Sequence, residues 1–336
     1  MLTLTDHPDN VHILNMRPEK GRDVTKVHWH PTIKSELRNS VESLDHFFKN
    51  ERFRDRYELS EEEANEIQQC LNNDTVCSKY QKKYFKCKRH INDSLHMEMD
   101  ISDSQTHRFA IDFPDGGDTY GWCCFVCGGS GSGKTYWVVD RIERNLKGPK
   151  KHRRNLIYCS AELSLDKTLA KIRDNEKYRD YFHGIDISEE AIKDSELTPD
   201  QYYEQNIAMR VESAPDGTIL CCDDYRDSVP EVAERMRRLI DRVQRVGRHR
   251  KLGLIFILHK LKSGLWSSQA YSSCKYVVVF PRSQKNKIRD LLEHDYGFTK
   301  KEARRTVDDF AQTGRACWIH CHAPNYICND KLLRLI

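Results

Sequence analysis

"CCFVCGGSGSGKTYW", residues 123–137, decides how this chain is read. A short apolar run rich in β-formers, Trp122 to Cys127, enters an octet of small residues that ends in Lys134 and Thr135. Gly128, Gly133, Lys134 and Thr135 fit the spacing G-x-x-x-x-G-K-[ST] without a mismatch. That spelling has a mechanism. Gly128, Gly129, Ser130, Gly131, Ser132 and Gly133 are small enough for the backbone to curl until several N–H groups point at one anion. Lys134 can then reach the β- and γ-phosphates, and the Thr135 hydroxyl can hold Mg²⁺. The run after the octet, Tyr136-Trp137-Val138-Val139, continues as a helix whose positive end faces the same anion. Strand, glycine loop and helix together predict a nucleotide cradle rather than a flexible Gly/Ser linker.

A cradle of this kind needs a carboxylate at the end of a neighbouring strand to hold the far side of the Mg²⁺. "TILCCDDY", residues 218–225, supplies two. Asp223 comes first after the strand and is the expected metal ligand. Asp224 follows and is placed to orient and deprotonate an attacking water; the reverse order of roles stays open. A second acid favours water as the nucleophile over a phosphate acceptor. Next, "RVGRHRKLGLIFILHKL", residues 245–261, runs from a basic turn into an apolar strand tipped by His259. That strand is expected beside the one carrying the acids, so His259 is a candidate sensor of the γ-phosphate. An exposed loop histidine is the alternative.

The 336 residues suggest two domains, or one elaborated α/β domain with an appendage. At 38% hydrophobic and 32% charged, the chain is polar yet able to bury a core, and a net charge of +4 allows a polyanionic partner without demanding one. No stretch has the length of apolar residues needed to span a bilayer, and "MLTLTDHPDN" lacks the basic start and apolar core of a secretory signal. The thirteen cysteines, many inside apolar strands, are therefore expected to be reduced, packed thiols in an intracellular protein.

Residues 1–105 read as a polar, mainly helical region of unknown role, and 106–336 as the nucleotide-binding domain. In the first, a helix is expected over 33–57, with Leu37, Val41, Leu44, Phe47 and Phe48 on one face. A second is expected after Ser60, which with Glu63 forms a capping box. "KYQKKYFKCKRH", residues 79–90, interleaves basic and aromatic residues. It is either a nucleic-acid contact or an amphipathic helix with a solvated basic face. In the second region, strands are expected near 108–113, 121–127, 155–160, 218–223, 252–258, 275–280 and 315–321. Helices are expected over 230–246, with Pro230 in its first turn, and about 284–294. The alternation implies an α/β fold with a mostly parallel central sheet flanked by helices, its loop at the carboxyl end of a strand.

The order of these parts resembles the FtsK/HerA superfamily of DNA-translocating P-loop ATPases. The pieces are the Gly-loop strand, a long insertion, "ILCCDD", a helix, "GRH" (247–249) leading into an apolar strand with a polar tip, then "YVVVFPRS" (276–283) and a Lys/Arg-rich helix. Most similar is the viral branch that packages genomes into preformed capsids, as in poxvirus-type viruses and virophages. The likeness covers roughly 106–336. It implies a RecA/FtsK-like domain that hydrolyses ATP with Mg²⁺ and moves double-stranded DNA without reading its sequence. It also implies a homo-oligomeric ring, penta- or hexameric, working at assembly sites in an infected cell, with capsid or membrane-vertex proteins as further partners. Residue by residue, Lys134 and Thr135 bind phosphate and magnesium, and Asp223 and Asp224 are metal ligand and catalytic acid. Arg248 falls on the superfamily's arginine before the strand and is the candidate finger into a neighbouring subunit's nucleotide, with Arg245 and Arg250 as rivals. The chain departs at the strand tip, where the superfamily usually carries Gln and this sequence has His259.

Two groups hold residue types that bind zinc. Cys77, Cys87, His90 and His96 lack a close Cys pair. In "ACWIHCHA", residues 316–323, strand alternation puts Cys317 and His320 on opposite faces; His322, Cys321 and Cys328 lie nearby. Packing is the expected role of both groups. Basic runs at 147–154 and 282–290 could meet DNA phosphates or simply face solvent. Two other functions stay open: a P-loop phosphotransferase, and a nucleotide-binding assembly or regulatory protein that does not translocate.

Overall fold

Five runs with no buried position left polar until their last residue set the architecture of the nucleotide-binding part. The computed structural model describes residues 2–3, 11–18, 25–29, 41–73, 75–94, 107–110, 122–147, 150, 153–247, 249, 251–259, 261, 273–322 and 325–336. Along the chain come β1 (Leu2–Thr3), β2 (Val11–Pro18), β3 (Thr25–Trp29), α1 (Val41–Lys49), α2 (Glu51–Arg56), α3 (Glu61–Asn72), α4 (Gln81–Ser94) and β4 (His107–Ala110). Then follow β5 (Cys123–Cys127), α5 (Lys134–Lys147), β6 (Leu156–Ser160), α6 (Lys167–Arg173), β7 (Phe182–Asp186), α7 (Glu189–Asp194) and α8 (Pro199–Tyr203). A π turn, Glu204–Ala208, leads into α9 (Met209–Glu212), β8 (Ile219–Asp223), α10 (Pro230–Val246), β9 (Gly253–Leu258) and β10 (Tyr276–Val279). The last elements are α11 (Pro281–His294), α12 (Lys300–Thr313), β11 (Cys317–His320), β12 (Tyr326–Cys328) and β13 (Leu333–Leu335).

The chain forms two compact units, Asp112–Ser283 and Met1–Ile111 with Gln284–Ile336. In the first, six strands pair in parallel in the order β10-β5-β9-β8-β6-β7. β5, β6, β8, β9 and β10 are buried at every position, as strands covered on both faces must be. Phe125 and Phe256, on neighbouring strands, stack with centroids 4.7 Å apart and planes at 8°. The helix expected over 230–246 spans those residues, with Val232, Met236, Leu239, Ile240 and Val243 buried. This is the P-loop NTPase fold: a mostly parallel sheet, flanked by helices, with the glycine loop between β5 and α5.

The other unit differs from expectation in three ways. Residues 107–110, expected in the nucleotide-binding sheet, pair instead with β2 in a four-stranded antiparallel sheet of order β1-β3-β2-β4. The sequence reading saw only helices before residue 105. The part of the expected 33–57 helix before residue 41 lies outside the described residues; beyond it the helix breaks at Asn50, whose side chain caps α2 by accepting from the Phe53 N–H. Finally, Gln284–Ile336 group with the N-terminal elements in one compact unit, while β11, β12 and β13, which include the strand expected near 315–321, continue the nine-stranded sheet beyond β10 in the order β13-β12-β11-β10. Lys285 and Arg289 of α11 meet Asp308 of α12 at 2.9 and 3.3 Å. Arg89 of α4 pairs with Glu302 at 2.9 Å and lies 3.9 Å over the Phe298 ring. The division falls at Gln284, where α11 leaves helical geometry (φ −136°, ψ 36°).

Ser60 and Glu63 form the expected reciprocal capping box of α3. Residues 79–90 resolve in favour of the amphipathic helix: Tyr84, Phe85, Cys87 and Ile91 of α4 are buried, so those aromatic faces are closed to stacking by bases. Lys83 pairs with Glu63 at 2.7 Å and Lys79 with Glu62 at 2.8 Å. No helix among the described residues is long and apolar enough to cross a membrane.

The Phe125–Phe256 stack sits at the centre of the parallel sheet, and both rings are fully buried. Phe256→Ala should lower stability by about 3–5 kcal/mol, read as a drop in the urea unfolding midpoint with an unchanged slope.

Candidate nucleotide site

Parallel strands all end on one edge, and here that edge gathers the chemistry. Leaving β5, the loop turns back on itself: Gly131 and Gly133 sit at φ +70° and +101°, which side-chain-bearing residues rarely adopt. Gly128 is needed for a different reason. A Cβ there would lie 2.3 Å from Ser132 Oγ and 2.7 Å from the Phe280 ring. The Gly129 carbonyl accepts from the Ser132 N–H at 3.2 Å within the loop, with Ser130 and Gly131 exposed and Ser132 and Lys134 buried. Lys134 and Thr135 open α5, so the positive end of a 14-residue helix points into the loop.

β9 lies between β5 and β8, in parallel register with both. It carries His259 to its tip, beside the acids, as the sequence reading placed it. Lys134 Nζ lies 3.2 Å from His259 Nδ1 and 3.4 Å from the Gly129 carbonyl. On its other side, His259 Nε2 lies 3.2 Å from Asp224 Oδ2. An ammonium has only donors, so Nδ1 accepts from Lys134 and Nε2–H donates to the carboxylate. The array runs from Lys134 through the imidazole to Asp224.

Asp224 occupies the left-handed region at φ 43°, ψ 37°, the turn immediately after β8. A non-glycine residue there costs on the order of 1–2 kcal/mol. The turn swings Asp224 out of the strand line toward His259 and leaves Asp223 behind, 4% exposed. Asp223 Oδ2 accepts from the Tyr158 hydroxyl at 2.7 Å and from Thr135 Oγ1 at 3.4 Å. Its Oδ1 is buried with no hydrogen-bond partner. A buried orphan oxygen on a carboxylate is costly in itself, and beside the Thr135 hydroxyl it matches what a hard divalent cation takes. The donor set therefore fits Mg²⁺. Burial pushes the Asp223 carboxyl up to about 7, against the Tyr158 hydrogen bond that pulls it down. Burial also raises Asp224, opposed by His259 and Lys134.

Asp224, Asp227 and His259 each present one ligand atom within 4.8 Å of the others. The Lys134 ammonium beside the imidazole opposes a cation there, and the array holds His259 and Asp224 with Lys134 instead. Tyr158 went unnoticed in the sequence, since nothing local marks a β6 tyrosine as the partner of a residue 65 positions away. Arg248 and Arg250 lie outside the described residues, while Arg245 is exposed on α10 with its Nε on the Asp241 carbonyl. Of the suspected zinc groups, His90 packs edge-on to Phe47, Phe53 and Tyr57, and Cys87 is fully buried. His320 stacks on Tyr326 at 4.9 Å, and the Cys328 thiol donates to the Asn329 carbonyl. His96 lies outside the described residues.

No protein-family model matches the sequence, and no curated protein matches it. Among solved structures, the chain is similar to the genome-packaging NTPase of Sulfolobus turreted icosahedral virus 2 in complex with ATP-gammaS, at 14% identity over 67% of this chain and 97% of that one, with a TM-score of 0.36. It is similar to a KaiC-like protein of Pyrococcus horikoshii OT3, at 14% identity over 67% of this chain and 83% of that one, TM-score 0.33. It is also similar to the cytoplasmic domain of the type VII secretion ATPase EccC of Thermomonospora curvata, at 12% identity over 62% of this chain and 25% of that one, TM-score 0.36.

The Asp223 shift has a sign that stability measurements can read. Its folded value lies above the ordinary 3.8 of an unfolded aspartate, so the folded chain binds more protons between about pH 4 and 7. The group therefore removes stability as pH rises through that window, and the full penalty stands above about pH 7. Asp223→Asn should unfold at higher urea than the parent at pH 8 without metal, by at most about 4 kcal/mol. The difference should shrink toward pH 4. A variant less stable than the parent at pH 8 would contradict this account of the carboxylate.

Proposed function

We propose that this chain is an ATP-hydrolysing motor that translocates double-stranded DNA and packages a viral genome into a preformed capsid. The nucleotide part is carried by one observation: Lys134, His259 and Asp224 are joined in a continuous array beside the Thr135–Asp223 pair, on three neighbouring strand ends. The DNA part is supported by the motif order shared with the FtsK/HerA superfamily. In this reading the loop amides and Lys134 hold the β- and γ-phosphates. Thr135 and Asp223 hold Mg²⁺, which when bound neutralises charge on those phosphates. Asp224 orients the attacking water and takes its proton, while His259, hydrogen-bonded to both Lys134 and Asp224, aligns that carboxylate. Arg248 reaches the nucleotide of the next subunit in a homo-oligomeric, penta- or hexameric ring. Contacts to DNA run through Lys and Arg to phosphate and carry no sequence preference. The place of action is the assembly site of an infected cell, with capsid or membrane-vertex proteins as further partners.

Steady-state ATPase rates with and without linear duplex test this directly. A motor is stimulated by duplex, and the stimulation fades with added salt; a phosphotransferase is indifferent to DNA, and a scaffold barely turns over. Lys134→Ala should abolish turnover. Arg248→Ala should lower it by about 10³-fold or more. Mixing the two inactive variants should restore part of the rate, because a mixed ring pairs an intact loop with an intact finger. Full turnover in Lys134→Ala refutes the nucleotide reading, and failure of every mixture refutes a finger acting between subunits.

A further inference from the structure

β6 and β8 run in parallel with Tyr158 opposite Cys221 and Ser160 opposite Asp223. Residues two apart on a strand share a face, so Tyr158 and Asp223 lie on the same side of the sheet, offset by two residues, about 6.6 Å along the strands. The long phenol covers that offset, which no serine or threonine hydroxyl at the same position would. The ring is fully buried and packs near Phe182, at 5.9 Å between centroids. Its position is therefore set by the core and not by the nucleotide. From there the hydroxyl donates to Asp223 Oδ2 at 2.7 Å, the shortest bond this carboxylate makes.

Both donors to Asp223, Tyr158 and Thr135, fall on the same oxygen. Oδ1 is left buried and unpartnered. A carboxylate free to turn about its last bond would share its donors between both oxygens. We propose that Tyr158 is a positioning residue: its hydroxyl pins one oxygen of Asp223 so that the other stays presented to Mg²⁺. This rests on the nucleotide reading above and extends it to a residue outside the loop and the acidic pair. A hydrogen-bonding partner that orients a metal-ligating carboxylate is commonly worth 10–100-fold in metal affinity.

The test is a magnesium titration of binding by a fluorescent ATP analogue, on the full chain. Tyr158→Phe should raise the half-saturating Mg²⁺ concentration about 10–100-fold, while analogue binding in EDTA stays unchanged. Tyr202→Phe is the control. It removes a similarly buried hydroxyl, one that donates to the Asp186 carbonyl, and should leave the Mg²⁺ requirement where it was. Tyr158→Met, which fills the slot with a flexible apolar chain, lacks the donor too and must behave as Tyr158→Phe does, so either variant suffices if the other does not fold. An Mg²⁺ requirement within twofold of the parent in a folded variant overturns the role of Tyr158 alone. A parent chain that shows no Mg²⁺-dependent nucleotide binding overturns the nucleotide reading, and this inference with it.

Discussion

The site depends on one strand being in the middle. β9 separates β5 from β8, and strands in a sheet stand about 4.8 Å apart. The loop and the acidic turn are thereby held about two strand spacings apart, roughly 10 Å, with β9 ending between them. That gap separates the loop helix carrying Lys134 from the turn carrying Asp224. His259 fills it, touching Lys134 on one side and Asp224 on the other. Every other feature of the site follows from that spacing. The loop must turn sharply to bring its lysine back over the sheet, and the chain after β8 must turn sharply to bring Asp224 forward.

Those demands act against stability. A nearly dry carboxylate with an unpartnered oxygen and an aspartate in the left-handed region are each unfavourable in isolation. They persist because the surroundings leave no alternative. Strands buried at every position hold Asp223 in register with Ser160 and Ile257, and the Tyr158 ring is locked by the same packing. The two acids, adjacent in sequence, end in different environments because one belongs to the strand and the other to the turn. Asp223 is closed off in the strand, while Asp224 is partly exposed.

How much of this the sequence disclosed depended on whether the deciding interaction was local. The loop, the acids, α10 and the capping box at Ser60 are each written within a few residues, and they stand where the pattern put them. β7 escaped notice because "FHGID" alternates weakly around a glycine at the edge of the sheet. α12 did carry a signal that was overlooked: Thr299 and Glu302 form a capping box before Ala303, Val307 and Phe310, a buried helical face. Residues 107–110 were recognisable as a strand, but a four-residue strand does not say which sheet it joins. The placement of 284–336 turned on pairs such as Arg89 with Glu302, 213 residues apart, which no window along the chain contains. Tyr158 is the same case at the site itself, visible only once the register of β6 against β8 is known.

The histidine at the strand tip departs from the glutamine usual in the superfamily the sequence resembles, and hydrogen-bond direction shows what the exchange keeps. A glutamine amide facing Lys134 and Asp224 would accept from the ammonium through its carbonyl and donate to the carboxylate through its NH₂. The imidazole does both, through Nδ1 toward Lys134 and Nε2–H toward Asp224. The order acceptor-then-donor is preserved, so the link from Lys134 to Asp224 keeps its polarity. What changes is stiffness. A planar ring holds its two nitrogens at a fixed separation, so a displacement of Lys134 is passed to Asp224 with one fewer rotatable bond to absorb it.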